Sequence, residues 1–230
     1  MRVELEITLR CNRKCPECNR YCERWPWMLM EDSVMSLEQI DKFCSQVEAN
    51  GKRLTQVSLI GGEPLLHPQY AEIAKMLHER LRLKRLVREI RLCTNGDALA
   101  TTHPRDLENV RIKVDWSKPH HRSSVTAPID TGQTLRACHV PSHCGICLNV
   151  WGYWPCGAGG AIARLFGLPQ YQRMELPRCV EEFGDLKPLC DLCQLSARDR
   201  IPEGVEPSSS YRLAIEAYKA NPVNPTLKRF

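Results

Sequence analysis

The stretch Val3-Glu-Leu-Glu-Ile-Thr-Leu9-Arg-Cys11-Asn-Arg-Lys-Cys15-Pro-Glu-Cys18 joins a β-like run to three cysteines at Cx3Cx2C spacing. Three closely spaced thiolates can hold three irons of a [4Fe–4S] cluster, which normally takes four cysteines. One iron is then left open to a small molecule.

Downstream, the apolar spacing alternates between helix and strand. Ser36–Asn50 reads as a helix: Leu37, Ile40, Phe43/Cys44 and Val47 share one face, Ser36 with Gln39 makes a capping-box pair, and Gly51 ends it. Leu54–Ile60 is a strand, and Pro68–Leu83 a helix with Ile73, Leu77 and Leu81 inward. Glu89–Cys93 and Val110–Asp115 are two further strands. This β-α-β-α-β order predicts an α/β fold with a parallel sheet. Parallel sheets and barrels bind ligands beyond the carboxyl ends of their strands. Four loops qualify here: Cys11–Cys18, Gly61-Gly62-Glu63-Pro64, Thr94-Asn95-Gly96 and Asp115-Trp116.

Cx3Cx2C after the first strand, with Gly-Gly-Glu-Pro after the second, resembles the radical S-adenosylmethionine (SAM) superfamily. The resemblance implies a partial (β/α) barrel of parallel strands over 1–117. It implies a cluster on Cys11, Cys15 and Cys18 whose free iron chelates SAM. It implies SAM contacts at Gly61, Gly62, Glu63 and Pro64, with the carboxylate meeting the SAM ammonium group and Asn95 reaching the ribose. Two positions depart from the usual pattern. Glu17 stands where an aromatic residue commonly precedes the third cysteine, and Cys22 follows at a spacing that imitates a fourth ligand. A fourth thiolate would close the iron that SAM needs, so Cys22 reads as a core residue, as do Cys44 and Cys93.

From about Lys118 the helical periodicity fades and seven of the thirteen cysteines appear. Residues 118–200 read as a small, irregular, cysteine-rich module, and 201–230 as a linker, a short helix at Tyr211–Ala220 and a tail. Cys138 and Cys156 bracket a stretch that reads as a hairpin turning at Trp151-Gly152, and Cys190-x2-Cys193 follows. This resembles the twitch and SPASM auxiliary-cluster modules, and implies a second [4Fe–4S] cluster on Cys138, Cys156, Cys190 and Cys193. Cys144-Gly-Ile-Cys147 keeps open both a replacement for Cys138 and a four-thiolate zinc site. Gly157-Ala-Gly-Gly160 opens a helix; it lacks the phosphate-binding lysine and G-x-G-x-x-G spacing, so close packing explains it better than an anion site.

A chain of 230 residues with 43% apolar content can bury a core. No stretch reaches the roughly 20 apolar residues of a membrane span, and the N-terminus is not a secretory signal. A cytoplasmic protein using its cysteines for metal is expected. The net charge of +5 concentrates at Arg80, Arg82, Lys84, Arg85, Arg88 and Arg91, read as a solvated helix end in preference to a nucleic-acid patch. Together these readings predict an enzyme whose SAM-derived radical abstracts hydrogen from a peptide or small molecule. Its electrons would come from a donor such as flavodoxin or ferredoxin. A nucleotide- or RNA-modifying enzyme, and a non-catalytic metal or redox module with structural zinc, are the competing readings.

Overall fold

A computed structural model describes residues 1–13, 18, 20, 22, 33–114, 138, 140–193, 209–220 and 227–230. Cys15, Glu17, Trp25, Trp27, Asp115, Trp116 and His139 lie outside these described residues. The strands are β1 (Arg2–Thr8), β2 (Gln56–Gly61), β3 (Ile90–Thr94), β4 (Arg111–Val114), β5 (Ile146–Asn149) and β6 (Gly152–Trp154). They form one sheet in the order β4-β3-β2-β1-β5-β6. All neighbours are parallel except the β5–β6 hairpin. This is the α/β partial barrel expected from the alternating pattern.

Helix α1 (Leu37–Asn50) has the anticipated capping box, with both Ser36–Gln39 bonds formed, and ends on Gly51 in the left-handed conformation. Helix α2 (Tyr70–Leu77) continues as a wider turn through His78–Arg82. Ile73, Leu77 and Leu81 are fully buried, as their spacing requires. The basic run is indeed a solvated helix end at its start: Arg80 pairs with Asp41 and Glu48, and Lys84 with Glu48.

Strand register sorts the sheet into two unlike faces. Val3 aligns with Val57 and Ile146, and Leu5 with Leu59 and Leu148, and this apolar face meets the α1 side, where Tyr153 donates to Gln46 at 2.6 Å. On the opposite face Glu4 aligns with Ser58 on one side and Cys147 on the other, and Cys147 aligns with Trp154. Helix α4 (Gly157–Phe166) covers that second face. Its glycines serve close packing: a Cβ on Gly160 would stand 2.9 Å from Trp154, and one on Gly157 would overlap the Arg20 guanidinium. With helices on both sides, β1 is buried along both faces, polar residues included.

Periodicity alone shows four strands; among the described residues the sheet has six. The two extra strands come from beyond Lys118, in the stretch read as irregular, where three- and four-residue segments are too short to display a period. The turn foreseen at Trp151-Gly152 is the β5–β6 hairpin. Short helices α3 (Val140–His143) and α5 (Lys187–Asp191) lie near the later cysteines, and α6 (Ser209–Ala220) packs on α4.

Candidate functional site

Strands β1, β2 and β3 are adjacent and parallel, so the loops that follow them share one edge of the sheet. The Gly-Gly turn is bound to the exit of β1. Gly62 N–H donates to Thr8 O and Glu63 N–H to Arg10 O, each at 2.8 Å. A Cβ on Gly61 would sit 2.0 Å from Thr8 O, and one on Gly62 would sit 2.1 Å from Arg10 O. Gly61 also has φ near +151°. Both positions therefore require glycine because the chain's own backbone passes there.

Glu63 is completely buried. Its Oε1 accepts from Thr94 Oγ1 at 2.8 Å and from Leu65 N–H at 3.1 Å, and its Oε2 accepts from Asn95 N–H at 2.8 Å. The carboxylate thus fastens the β3 exit to the β2 exit. Pro64 starts the following 3-10 turn, which closes on His67. His67 is buried, accepts from Gln69 N–H, and bonds Met35 O through Nε2 at 2.8 Å; burial holds its pKa below the ordinary histidine value.

Asn95 lies beside the first cysteine. Its Nδ2 donates to Asn12 Oδ1 at 2.8 Å and points at Cys11 Sγ from 3.9 Å, while its Oδ1 accepts from Asp97 N–H at 3.0 Å. Asp97 in turn takes the Arg13 guanidinium in a two-point fork and accepts from Asn12 Nδ2 at 3.1 Å. Nothing in the cysteine spacing announces Asn12, Arg13 and Asp97. Arg13 and Asp97 stand 84 positions apart, and only the parallel arrangement of β1 and β3 makes them neighbours.

Cys18 is half-buried and Cys22 fully buried. A hydrogen bond with the Cys22 thiol pulls Cys18 down to about 6, so its thiolate is the favoured form at neutral pH. The same bond, together with burial, pushes Cys22 up and keeps it a thiol. A half-buried Cys18 thiolate suits iron. Cys22 occupies the core as expected, but it also touches the cysteine site.

Between Cys18 and Cys22 stands Arg20, the second feature that motif reading passes over. Its Nη2 meets Glu4 at 2.6 Å, and its Nη1 lies 3.4 Å from Glu6 and 3.7 Å from Cys147 Sγ. Asn149 completes the cluster, donating to Glu6 at 2.8 Å and accepting from Trp154 Nε1 at 3.0 Å. Two buried carboxylates are thereby matched by one guanidinium and an amide. Cys147 belongs to this cluster.

The later cysteines influence one another's ionisation in pairs. Cys156 caps α4, its sulfur accepting from Gly159 N–H at 3.2 Å, and burial followed by the nearby Cys193 raises its pKa strongly. Burial and then Cys138 raise Cys190. Cys193 N–H closes a turn onto Cys190 O at 2.9 Å. Cys179 is exposed and bonded to Glu181. Among the described residues, no three or more His, Cys, Asp or Glu side chains are already gathered as a metal cage.

Residues 5–116 match the model of the Radical SAM superfamily, a class that implies a [4Fe–4S] cluster and SAM. Among curated relatives, the GTP 3',8-cyclase of Rhodopseudomonas palustris (strain TIE-1) is 26% identical over 152 residues, 64% of this chain and 42% of that protein. GTP 3',8-cyclase 1 of Mycobacterium tuberculosis (strain H37Rv) is 27% identical over 137 residues, 58% of this chain and 33% of that protein. The chain thus spans about two fifths or less of the length of these relatives. A solved structure of BtrN in an open conformation is similar with a TM-score of 0.49 and 18% identity, covering 86% of each chain. Among the described residues, no helix is long and apolar enough to cross a membrane.

Proposed function

We propose that the chain is a radical SAM enzyme whose cluster is held by Cys11, Cys15 and Cys18. The observation that carries this reading is the convergence of three strand exits: Cys11 follows β1, Gly61–Pro64 are bonded to Thr8 and Arg10, and Asn95 reaches toward Cys11. When bound, such a cluster supplies the electron that cleaves SAM to a 5′-deoxyadenosyl radical. The protein's part is placement. Gly61, Gly62, Glu63 and Pro64 shape the wall beside the cysteine loop, and Asn95 lines it. Glu63 acts on this wall from behind, by fixing Thr94 and Asn95, and its Oε2 retains one acceptor direction for an ammonium group.

The substrate proposed first is a peptide or small molecule, with hydrogen abstracted from an unreactive C–H bond and electrons delivered by a flavodoxin- or ferredoxin-type donor. A nucleotide is the second reading, favoured by relatives named for action on GTP. Residues 1–117 would supply the SAM site. Residues 118–200 would hold a second, twitch-like [4Fe–4S] cluster on Cys138, Cys156, Cys190 and Cys193, and residues 201–230 would form a linker, helix and tail. The mutual influence of Cys156 with Cys193 and of Cys190 with Cys138 supports that set, whereas Cys147, which also senses Cys156, is engaged by Arg20. A cytoplasmic location accords with thiols kept reduced.

Anaerobic reconstitution with iron and sulfide, followed by reduction with SAM present, tests the reading. Formation of 5′-deoxyadenosine, lost on Cys11→Ala, Cys15→Ala or Cys18→Ala and retained in Cys22→Ala, is the expected result. An iron-loaded protein that never cleaves SAM would favour the redox-module alternative.

A further inference from the structure

Within the Cys11–Cys15 segment, the side chains of Asn12 and Arg13 are both tied to the loop that follows β3. Asp97 Oδ1 faces Arg13 Nη2 at 2.5 Å, and Asp97 Oδ2 accepts from Arg13 Nε at 2.8 Å and from Asn12 Nδ2 at 3.1 Å. Asn95 adds the bond to Asn12, and its own backbone N–H is anchored by buried Glu63. The restraint therefore runs from the core, through Glu63 and Asn95, to the cysteine loop. Arg13 also returns to the first cysteine, its N–H donating to Cys11 Sγ at 3.4 Å.

We infer that Asp97 is a positioning residue for the iron site: with Asn95 it clamps the Asn12–Arg13 segment, setting the direction in which Cys11 presents its sulfur. This rests on the proposal that Cys11 is a cluster ligand. The physical argument has two parts. A fork between guanidinium and carboxylate restrains angle as well as distance, which a single bond cannot do. Cysteine ligands on a short loop also need outer partners to hold their geometry, and loss of such partners commonly weakens metal binding about 10- to 100-fold. Asp97 is 40% exposed, and salt screens an exposed ion pair, so its contribution to global stability is small. Its effect should fall on the loop.

Three measurements test the clamp. Amide hydrogen exchange of the metal-free protein should quicken across residues 11–13 in Asp97→Ala while exchange in β1 and α1 stays as in wild type. After reconstitution, Asp97→Ala should surrender iron to a chelator about ten-fold faster, and its electron paramagnetic resonance signal with SAM should shift. The charge swap Arg13→Asp/Asp97→Arg should restore much of the slow iron release. Unchanged exchange at residues 11–13, or equal iron release from variant and wild type, would overturn the inference. A wild-type protein that holds no iron would sink the functional proposal instead, and the exchange experiment would still decide the clamp.

Discussion

Thr94 Oγ1 donates to Glu63 Oε1 at 2.8 Å, so the last residue of β3 is bonded to the first residue beyond the Gly-Gly turn of β2. Because Glu63 is wholly buried, this bond is shielded from water, and those from Leu65 and Asn95 N–H are shielded on the carboxylate side. Shielding is what gives the carboxylate leverage.

Replacing Glu63 with alanine leaves the buried Thr94 hydroxyl and the half-buried Leu65 and Asn95 N–H groups without their acceptor. An unsatisfied buried group costs about 1–3 kcal/mol, so a loss of about 2–4 kcal/mol is expected after relaxation, measurable by urea denaturation of metal-free protein. Iron content after full reconstitution should stay near wild type, with release to a chelator quickened as the anchor of Asn95 is lost, while SAM affinity falls. Glu63→Gln keeps two acceptor directions and should lose less. A Glu63→Ala variant as stable as wild type would contradict the cross-strand role.

Arg20 offers a sharper contrast. Its guanidinium is the buried cation between Glu4 and Glu6, and removing one partner of a buried ion cluster typically costs about 3–5 kcal/mol. Arg20→Met should be strongly destabilised. Adding Glu4→Gln and Glu6→Gln should return part of the loss, because no carboxylate then remains uncompensated. Failure of the triple variant to recover would show that packing against Gly157, and not charge, makes Arg20 necessary.

For His67 the sign of the pH effect follows from burial. The folded protein holds the imidazole below its usual pKa, so the unfolded chain takes up a proton more readily as pH falls. His67 therefore adds a term that is fully present above the unfolded value near 6.5 and is lost as pH drops below it. Thermal melts between pH 8 and about 5 should decline more steeply in wild type than in His67→Gln. Parallel slopes would refute the assignment.

The proposed second metal site would decide how a substrate radical is resolved. Oxidation of such a radical needs a nearby one-electron acceptor, which a [4Fe–4S] cluster can be and zinc cannot. Protein with Cys11, Cys15 and Cys18 all changed to alanine should still hold about four irons per chain after anaerobic reconstitution. Removing Cys190 and Cys193 as well should abolish that iron. Zinc in its place would assign the later cysteines a structural task.

Much of the architecture is local and was therefore legible. The Ser36–Gln39 box, the Gly51 stop and the buried stripe Ile73–Leu77–Leu81 depend on residues within a few turns of one another, and all stand where their spacing puts them. The cysteine loop after β1 and the Gly-Gly turn after β2 were likewise readable, because a parallel α/β order alone sends strand exits to one edge.

What the residues by themselves determined, then, is the alternating core, its strand-end motifs and the supply of thiols. The partnerships that only tertiary structure decided span long stretches of chain: Arg20 with Glu4, Glu6 and Cys147, Asp97 with Arg13, and β5 with β1. The last of these, with the β5–β6 hairpin, enlarged a four-strand expectation to six among the described residues. Glycine at Gly61 and Gly62 is explained only once Thr8 and Arg10 are seen pressing on it. The reason is physical: periodicity reports which face of an element is apolar, whereas a charge or a missing Cβ acquires its purpose from whatever the fold brings against it.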